Sequence, residues 1–300
     1  MIDNGLLKYY PEYFDEFGRL QFDTLKIKSK ESFNGRHSVI KVQLKNKLFS
    51  KENSNIFYFH KSLGRNLGNS RGVQVDIADN EVLLSQIYTM LGLKSAIYIP
   101  TIDKDNVLGV VSNNMVTPNS QTMLGFSLST NLLESYENYK FPYDCFKNYS
   151  EKELFLHKYF EEKALKDYVK MHVIDVACNN TDRNVGNFYV DVIFDENNMP
   201  KIHDIRLFDY EMSGLQSAGF FKNGLGNGNL KTKEQMIEEF KTNEYVNSFY
   251  TPAQLAEMLG NIDVIETARD IKQTINYEID DGLASNYARL IDDTAEALIK

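Results

Sequence analysis

The sequence predicts an α+β fold in two lobes: a small antiparallel-sheet lobe with one helix over residues 1–116, then a mainly helical lobe over residues 117–300. Three observations carry this. Short alternating apolar runs crowd the first third of the chain around a single stretch of helical periodicity. Helical patterns dominate from about residue 120 onward. One strand-turn-strand unit, Phe188 to Phe208, interrupts them.

Taken in order, Ser38–Leu44 and Asn55–Lys61 read as an antiparallel strand pair across the charged, Asn-containing connection Lys45–Ser54. Ser62–Gly72 follows, with glycines that let backbone approach an anion and arginines that pair with phosphate. Gly64, Arg65 and Gly68 are its candidate nucleotide contacts. Its glycine spacing matches neither the Walker pattern nor the dinucleotide fingerprint, and a mobile surface loop accounts for the same residues. Asn80–Gly92 carries an apolar stripe of Val82, Leu83, Ile87, Met90 and Leu91, with Asp79 or Asn80 as cap and Gly92 at the end. This places Glu81 in the first turn, where it either favours the helix dipole or pairs with a strand lysine. Lys61 and Lys41 compete for that lysine role, and Lys61 is favoured because it directly precedes the Gly and Arg loop.

Ala96–Pro100 and Val107–Ser112 complete the sheet, and Asn113–Pro118 loses alternation as a connector between lobes does. If the chain binds a nucleotide, the backbone of Asn114 and Met115 meets the base there. Beyond it, Ser150–Glu153 offers a capping box ahead of one long helical region through Leu156, Phe160, Ala164, Tyr168 and Met171. Thr251-Pro252-Ala253-Gln254 starts another helix, and Val264–Lys300 holds two more, broken near Asp280-Asp281-Gly282. The Gly-rich stretch Phe220–Asn229 reads as a mobile loop positioned to contact a substrate.

The most informative stretch is Asn179-Asn180-Thr181-Asp182-Arg183-Asn184-Val185-Gly186-Asn187, followed at the far end of the hairpin by Leu207-Phe208-Asp209. Phosphoryl transfer needs one carboxylate to orient the incoming hydroxyl, and an amide with a second carboxylate to hold Mg²⁺ on the phosphates. Asp182, Asn187 and Asp209 supply those three groups, because a hairpin returns the chain to its start. Asn, Asp and Thr are also ordinary cap and turn residues, so each alone has a structural explanation.

A net charge of −9 argues against nucleic acid as the main partner. Hydrophobic content of 42% permits a substantial core, and no apolar run reaches membrane-spanning length. The N-terminus lacks the pattern of a secretory signal, which gives a cytoplasmic expectation. Cys145 and Cys178 lack metal-ligand spacing and read as buried thiols.

The run N-x-T-D-R-N-x-G-N with its later I-x-x-F-D strand resembles the catalytic loop and metal-binding strand of HipA-like and phosphatidylinositol-kinase-like atypical kinases. The resemblance covers roughly residues 35 to 300, with Asn184 where these families commonly place His. It implies a bilobal protein-kinase-like fold and an ATP- and Mg²⁺-dependent kinase acting on a hydroxyl, chiefly Ser or Thr of a protein substrate. It also implies an antitoxin-like protein partner. Asp182 would be the catalytic aspartate, Asn187 and Asp209 the Mg²⁺ ligands, Lys61 the phosphate-gripping lysine with Glu81 as its partner, and Arg183 a loop-stabilising residue. The alternatives are a lipid or small-molecule kinase of the same fold, and a catalytically silent nucleotide- or protein-binding module.

Overall fold

The computed structural model describes residues 11–29, 39–44, 58–62, 71–113, 115, 121–124, 159–181, 183, 187–210, 213–214 and 231–300. The chain falls into two units interleaved along the sequence, Met1–Ile87 with Ala96–Met115 and Val264–Ser285, and Tyr88–Ser95 with Val116–Asp263 and Asn286–Lys300.

The first unit is built on strands β1 (Leu20–Gln21), β2 (Leu25–Ser29), β3 (Val39–Leu44), β4 (Tyr58–Ser62), β6 (Tyr98–Ile102) and β7 (Leu108–Asn113). They form a sheet in the order β1-β6-β7-β4-β3-β2, antiparallel except for the parallel pair β1 and β6. The two strand pairs expected from alternation are present, β3 with β4 and β6 with β7. Their period of two sends Val42, Val111 and Ile99 into a cluster with Phe14, Leu20 and Leu25. His60 joins that face, its ring 4.5 Å from Phe22 and its Nε2 2.9 Å from Thr101 Oγ1. Gly109 makes the approach possible, because a Cβ there would lie 2.7 Å from His60 Nε2 and from Thr101 Oγ1.

Helix α1 (Arg71–Met90) starts nine residues before the Asn80 expected from the apolar stripe. Gly72, Val73 and Val75 depress helix propensity, which hides this start from a reading of the sequence. Asp79, expected as a cap, is instead mid-helix and fully buried. Its carboxylate accepts from Tyr277 Oη at 2.6 Å and from the Asp280 amide at 3.0 Å. Those partners follow helix α6 (Val264–Ile275), which belongs to this unit. Gly18, at φ +71, passes so close that a Cβ would meet Ile275 O at 2.0 Å.

The second unit holds a sheet of order β5-β10-β9-β8, made of β5 (Lys94–Ser95), β8 (Gln121–Leu124), β9 (Phe188–Phe194) and β10 (Pro200–Leu207). The hairpin read from sequence is therefore the centre of a sheet, flanked by two strands the alternation did not reveal. Its turn is closed by Asp195, whose Oδ1 accepts from the amides of Asn197 at 2.9 Å and Met199 at 2.8 Å, with Asn198 left-handed at φ +61. Helix α2 (Glu162–Ala177) does not continue upstream as one long helix: Glu161 is extended and Phe160 makes a parallel bridge to Ile202. Helices α3 (Lys233–Thr242), α4 (Glu244–Phe249), α5 (Pro252–Gly260) and α7 (Asp281–Ile299) follow, the last shared between the units. Helix α5 begins at the expected Thr251, in a capping box with Gln254. The Ser150–Glu153 box, the Phe220–Asn229 loop and Cys145 lie outside the described residues; Cys178 is a buried free thiol. No helix among the described residues is long and apolar enough to cross a membrane.

Burial lowers the His60 pKa from 6.5 to about 4, with Asp103 pulling weakly the other way. The imidazole is therefore neutral in the folded protein at pH 7, and as pH falls from 6.5 toward 4 the unfolded chain takes up its proton first. Stability from this group is complete above pH 6.5 and lost on the way down. Urea denaturation at pH 7 and pH 4 is expected to show wild type losing about 3 kcal/mol more than His60→Gln.

Candidate functional site

In the first unit, Lys61 of β4 donates from Nζ to Glu81 Oε1 of α1 at 2.8 Å. The Glu81 side chain is fully buried and that of Lys61 is 12% exposed, so this pair is sequestered from solvent rather than a surface contact. Glu81 is not in a first turn, since α1 begins at Arg71, and the dipole explanation for it falls away. Lys41 shares the sheet face of Lys61 by alternation, opposite Phe59 on β4, but it is Lys61 that Glu81 receives.

In the second unit the loop after α2 is shaped by the residues that end the helix. Asn179 is left-handed at φ +51, and the amides of Asn180 and Asn179 return to Asp175 O at 2.7 Å and Val176 O at 3.3 Å, a Schellman ending. This turns the chain back over the last helical turn, where Asp175 points into the core with 2% exposure. Asn180 Nδ2 donates to Asp175 Oδ1 at 2.8 Å, and Arg183 Nε reaches both carboxylate oxygens at 3.2 and 3.3 Å. Arg183 Nη1 then donates at 2.7 Å to Asn187 O and at 2.7 Å to Phe208 O.

One guanidinium thus ties the end of α2 to both edges of the hairpin mouth. Phe188 faces Leu207 in register and the Phe208 amide reaches Asn187 O at 3.3 Å, so Asn187 and Asp209 are carried to the same end of the ribbon. One residue carries a side-chain amide and the other a carboxylate, oxygen donors of the kind a divalent cation takes. Asp209 is itself left-handed, at φ +65.

The electrostatics keep the clamp ionised at the arginine. Arg183 is buried, yet Asp175 drives its pKa above the ordinary value. Burial pushes the Asp175 carboxyl up, opposed by Arg183 and by hydrogen bonds from Tyr88 and Asn180. Tyr88 donates its hydroxyl to Asp175 Oδ1 at 2.5 Å, and burial, reinforced by Asp175, raises the phenol well above 10 and keeps it a donor.

Asp182, Gly64, Arg65, Gly68 and Asn114 lie outside the described residues, as does Asn184; Met115 is buried in the first unit. The sequence reading missed Asp175 and Tyr88. A carboxylate inside Val173-Ile174-Asp175-Val176-Ala177 was the available signal, because a charge in an apolar run is buried only with a partner. Tyr88 gave none, being one apolar helix residue among several. On the strand leading to Asp209, His203 and Asp204 have structural partners: His203 Nδ1 lies 2.6 Å from Glu161 Oε2 and Lys163 Nζ donates to Asp204 at 2.6 Å.

The fold is kinase-like. The chain is similar to the crystal structure of the proinflammatory kinase CtkA of Helicobacter pylori, 15% identical, with a TM-score of 0.59 over 93% of this chain and 96% of that one. HipA of Shewanella oneidensis MR-1, in its toxin–antitoxin complex with HipB and operator DNA, matches 90% of this chain and 66% of its own at 12% identity and a TM-score of 0.45. No protein-family model and no curated protein matches the sequence.

Asp175→Ala is expected to lower stability by about 3–5 kcal/mol in urea denaturation, since it leaves the Arg183 charge buried without its counter-ion. A loss below 1 kcal/mol would mean that water reaches the guanidinium.

Proposed function

We propose that this chain is an ATP- and Mg²⁺-dependent kinase that phosphorylates a hydroxyl, Ser or Thr of a protein in the first instance. The observation that carries the reading is the hairpin mouth, where Asn187 and Asp209 come to one end of the ribbon and Arg183 binds the carbonyls of Asn187 and of Phe208, the residue before Asp209. The kinase-like fold and the Lys61–Glu81 pair agree with it. Fold alone names no chemistry, so the weight rests on these side chains.

The donor set suits Mg²⁺. Among the described residues no three His, Cys, Asp or Glu side chains gather into a metal cage. Two oxygen ligands are nevertheless what an ion shared with phosphates and water takes from a protein. Asn187 and Asp209 would hold it, and the ion would supply neutralisation of phosphate charge. Lys61, oriented by Glu81, grips phosphate oxygens of the nucleotide, with Gly64, Arg65 and Gly68 after it in sequence as further contacts. The backbone of Asn114 and Met115 receives the base. Asp182 takes the proton of the acceptor hydroxyl as that oxygen bonds to the γ-phosphorus and the bond to the departing ADP breaks.

In a γ-phosphate transfer assay against protein extract, Asp182→Ala is expected to lose at least about a hundredfold in rate while binding nucleotide normally. Full turnover by that variant would remove the assignment. Asp209→Ala is expected to lose the Mg²⁺-dependent part of the thermal shift given by ATP, and Lys61→Ala to weaken the shift with or without the ion.

A further inference from the structure

Asp209 is an L-residue in left-handed backbone, a conformation that costs roughly 1–2 kcal/mol and persists only where its surroundings impose it. Both of its chain neighbours are anchored. On one side, Phe208 O is held by Arg183. On the other, Tyr210 is fully buried, its hydroxyl 2.6 Å from Ser95 Oγ and its ring 5.2 Å from the Arg183 guanidinium carbon.

Tyr88 touches both anchors. Its ring packs against Tyr210 with centroids 4.8 Å apart, the Arg183 guanidinium carbon lies 5.8 Å from the same ring, and its hydroxyl donates to Asp175, the carboxylate that holds Arg183. Beyond Tyr210 the chain is pinned again, Ser213 N to Tyr210 O at 3.1 Å and Gly214 N to Cys178 O at 2.9 Å. Tyr88 therefore joins the two anchors on either side of Asp209, meeting Tyr210 through its ring and Arg183 through Asp175.

We infer that Tyr88 is a positioning residue for Asp209, holding it in the left-handed conformation from which its carboxylate and the Asn187 amide meet a cation together. The inference rests on the kinase reading for the identity of that cation. The hold on the backbone stands independently of it. Tyr88→Phe keeps the ring stack and removes only the bond to Asp175; Tyr88→Leu removes the ring as well.

The test has two arms. Amide hydrogen exchange on the ligand-free protein reads Phe208 and Ser213, and calorimetry with a non-hydrolysable ATP analogue reads the Mg²⁺ concentration for half-maximal binding. In Tyr88→Phe both amides exchange faster and the Mg²⁺ requirement rises about fivefold, with a larger rise in Tyr88→Leu. Tyr245→Phe, at a buried tyrosine of α4 packed edge-on against Phe249, controls for general loosening and leaves the Mg²⁺ requirement unchanged. Unchanged exchange in Tyr88→Phe overturns the inference, as does faster exchange with an unshifted Mg²⁺ requirement, which would make Tyr88 merely structural. If Tyr88→Leu does not fold, Tyr88→Phe decides alone. Wild type that binds no Mg²⁺–nucleotide removes the kinase reading, and the exchange arm then still decides whether Tyr88 holds the backbone of Asp209.

Discussion

The second unit is organised around one buried charge pair. Arg183 has given up its water for Asp175 and two main-chain carbonyls, and such a group tolerates little displacement, since losing any one partner leaves charge in a low-dielectric interior. That intolerance makes it useful. Through the carbonyls of Asn187 and Phe208, which complete the coordination of the guanidinium, the mouth of the ribbon is tied to the helix beneath it. The expense in desolvation is matched by definition at the place where the ribbon opens.

The first unit shows the same economy by a different route. Glu81 is an interior carboxylate on α1, and Lys61 reaches it from the sheet, so strand and helix are registered by a single ion pair. On the opposite face of β4, one residue away, His60 is kept neutral by the apolar cluster around it. Adjacent positions on one strand thus carry a charged and an uncharged basic side chain, sorted by the pleat alone.

How much was legible beforehand follows from the range of the interactions involved. The hairpin could be read because Asp195 closes its turn with its own neighbours, and the start of α5 because Thr251 and Gln254 satisfy each other three residues apart. The grouping of Asn187 with Asp209 followed from that hairpin. The start of α1 could not be read: its first turns contain Gly72 and β-branched residues, and Asp79 resembles a cap until Tyr277 is known to bond it. Strands β5 and β8 are short and pair with partners far along the chain, and the break at Phe160 depends on a bridge to Ile202. Tyr88 belongs with these, since its hydroxyl finds Asp175 across 87 positions of sequence.

The bonds from Tyr277 and the Asp280 amide to Asp79 also bear on the order in which the protein is made. A ribosome releases the β-strands of the first unit long before it has synthesised Val264–Ser285, the segment that completes them. Until then Asp79 has no phenol to receive it and the close fit at Gly18 has nothing to close against. The contacts that Asp79 and Gly18 make with residues 275–280 are therefore the last of this unit's to become possible, after all the strands of its sheet have been synthesised.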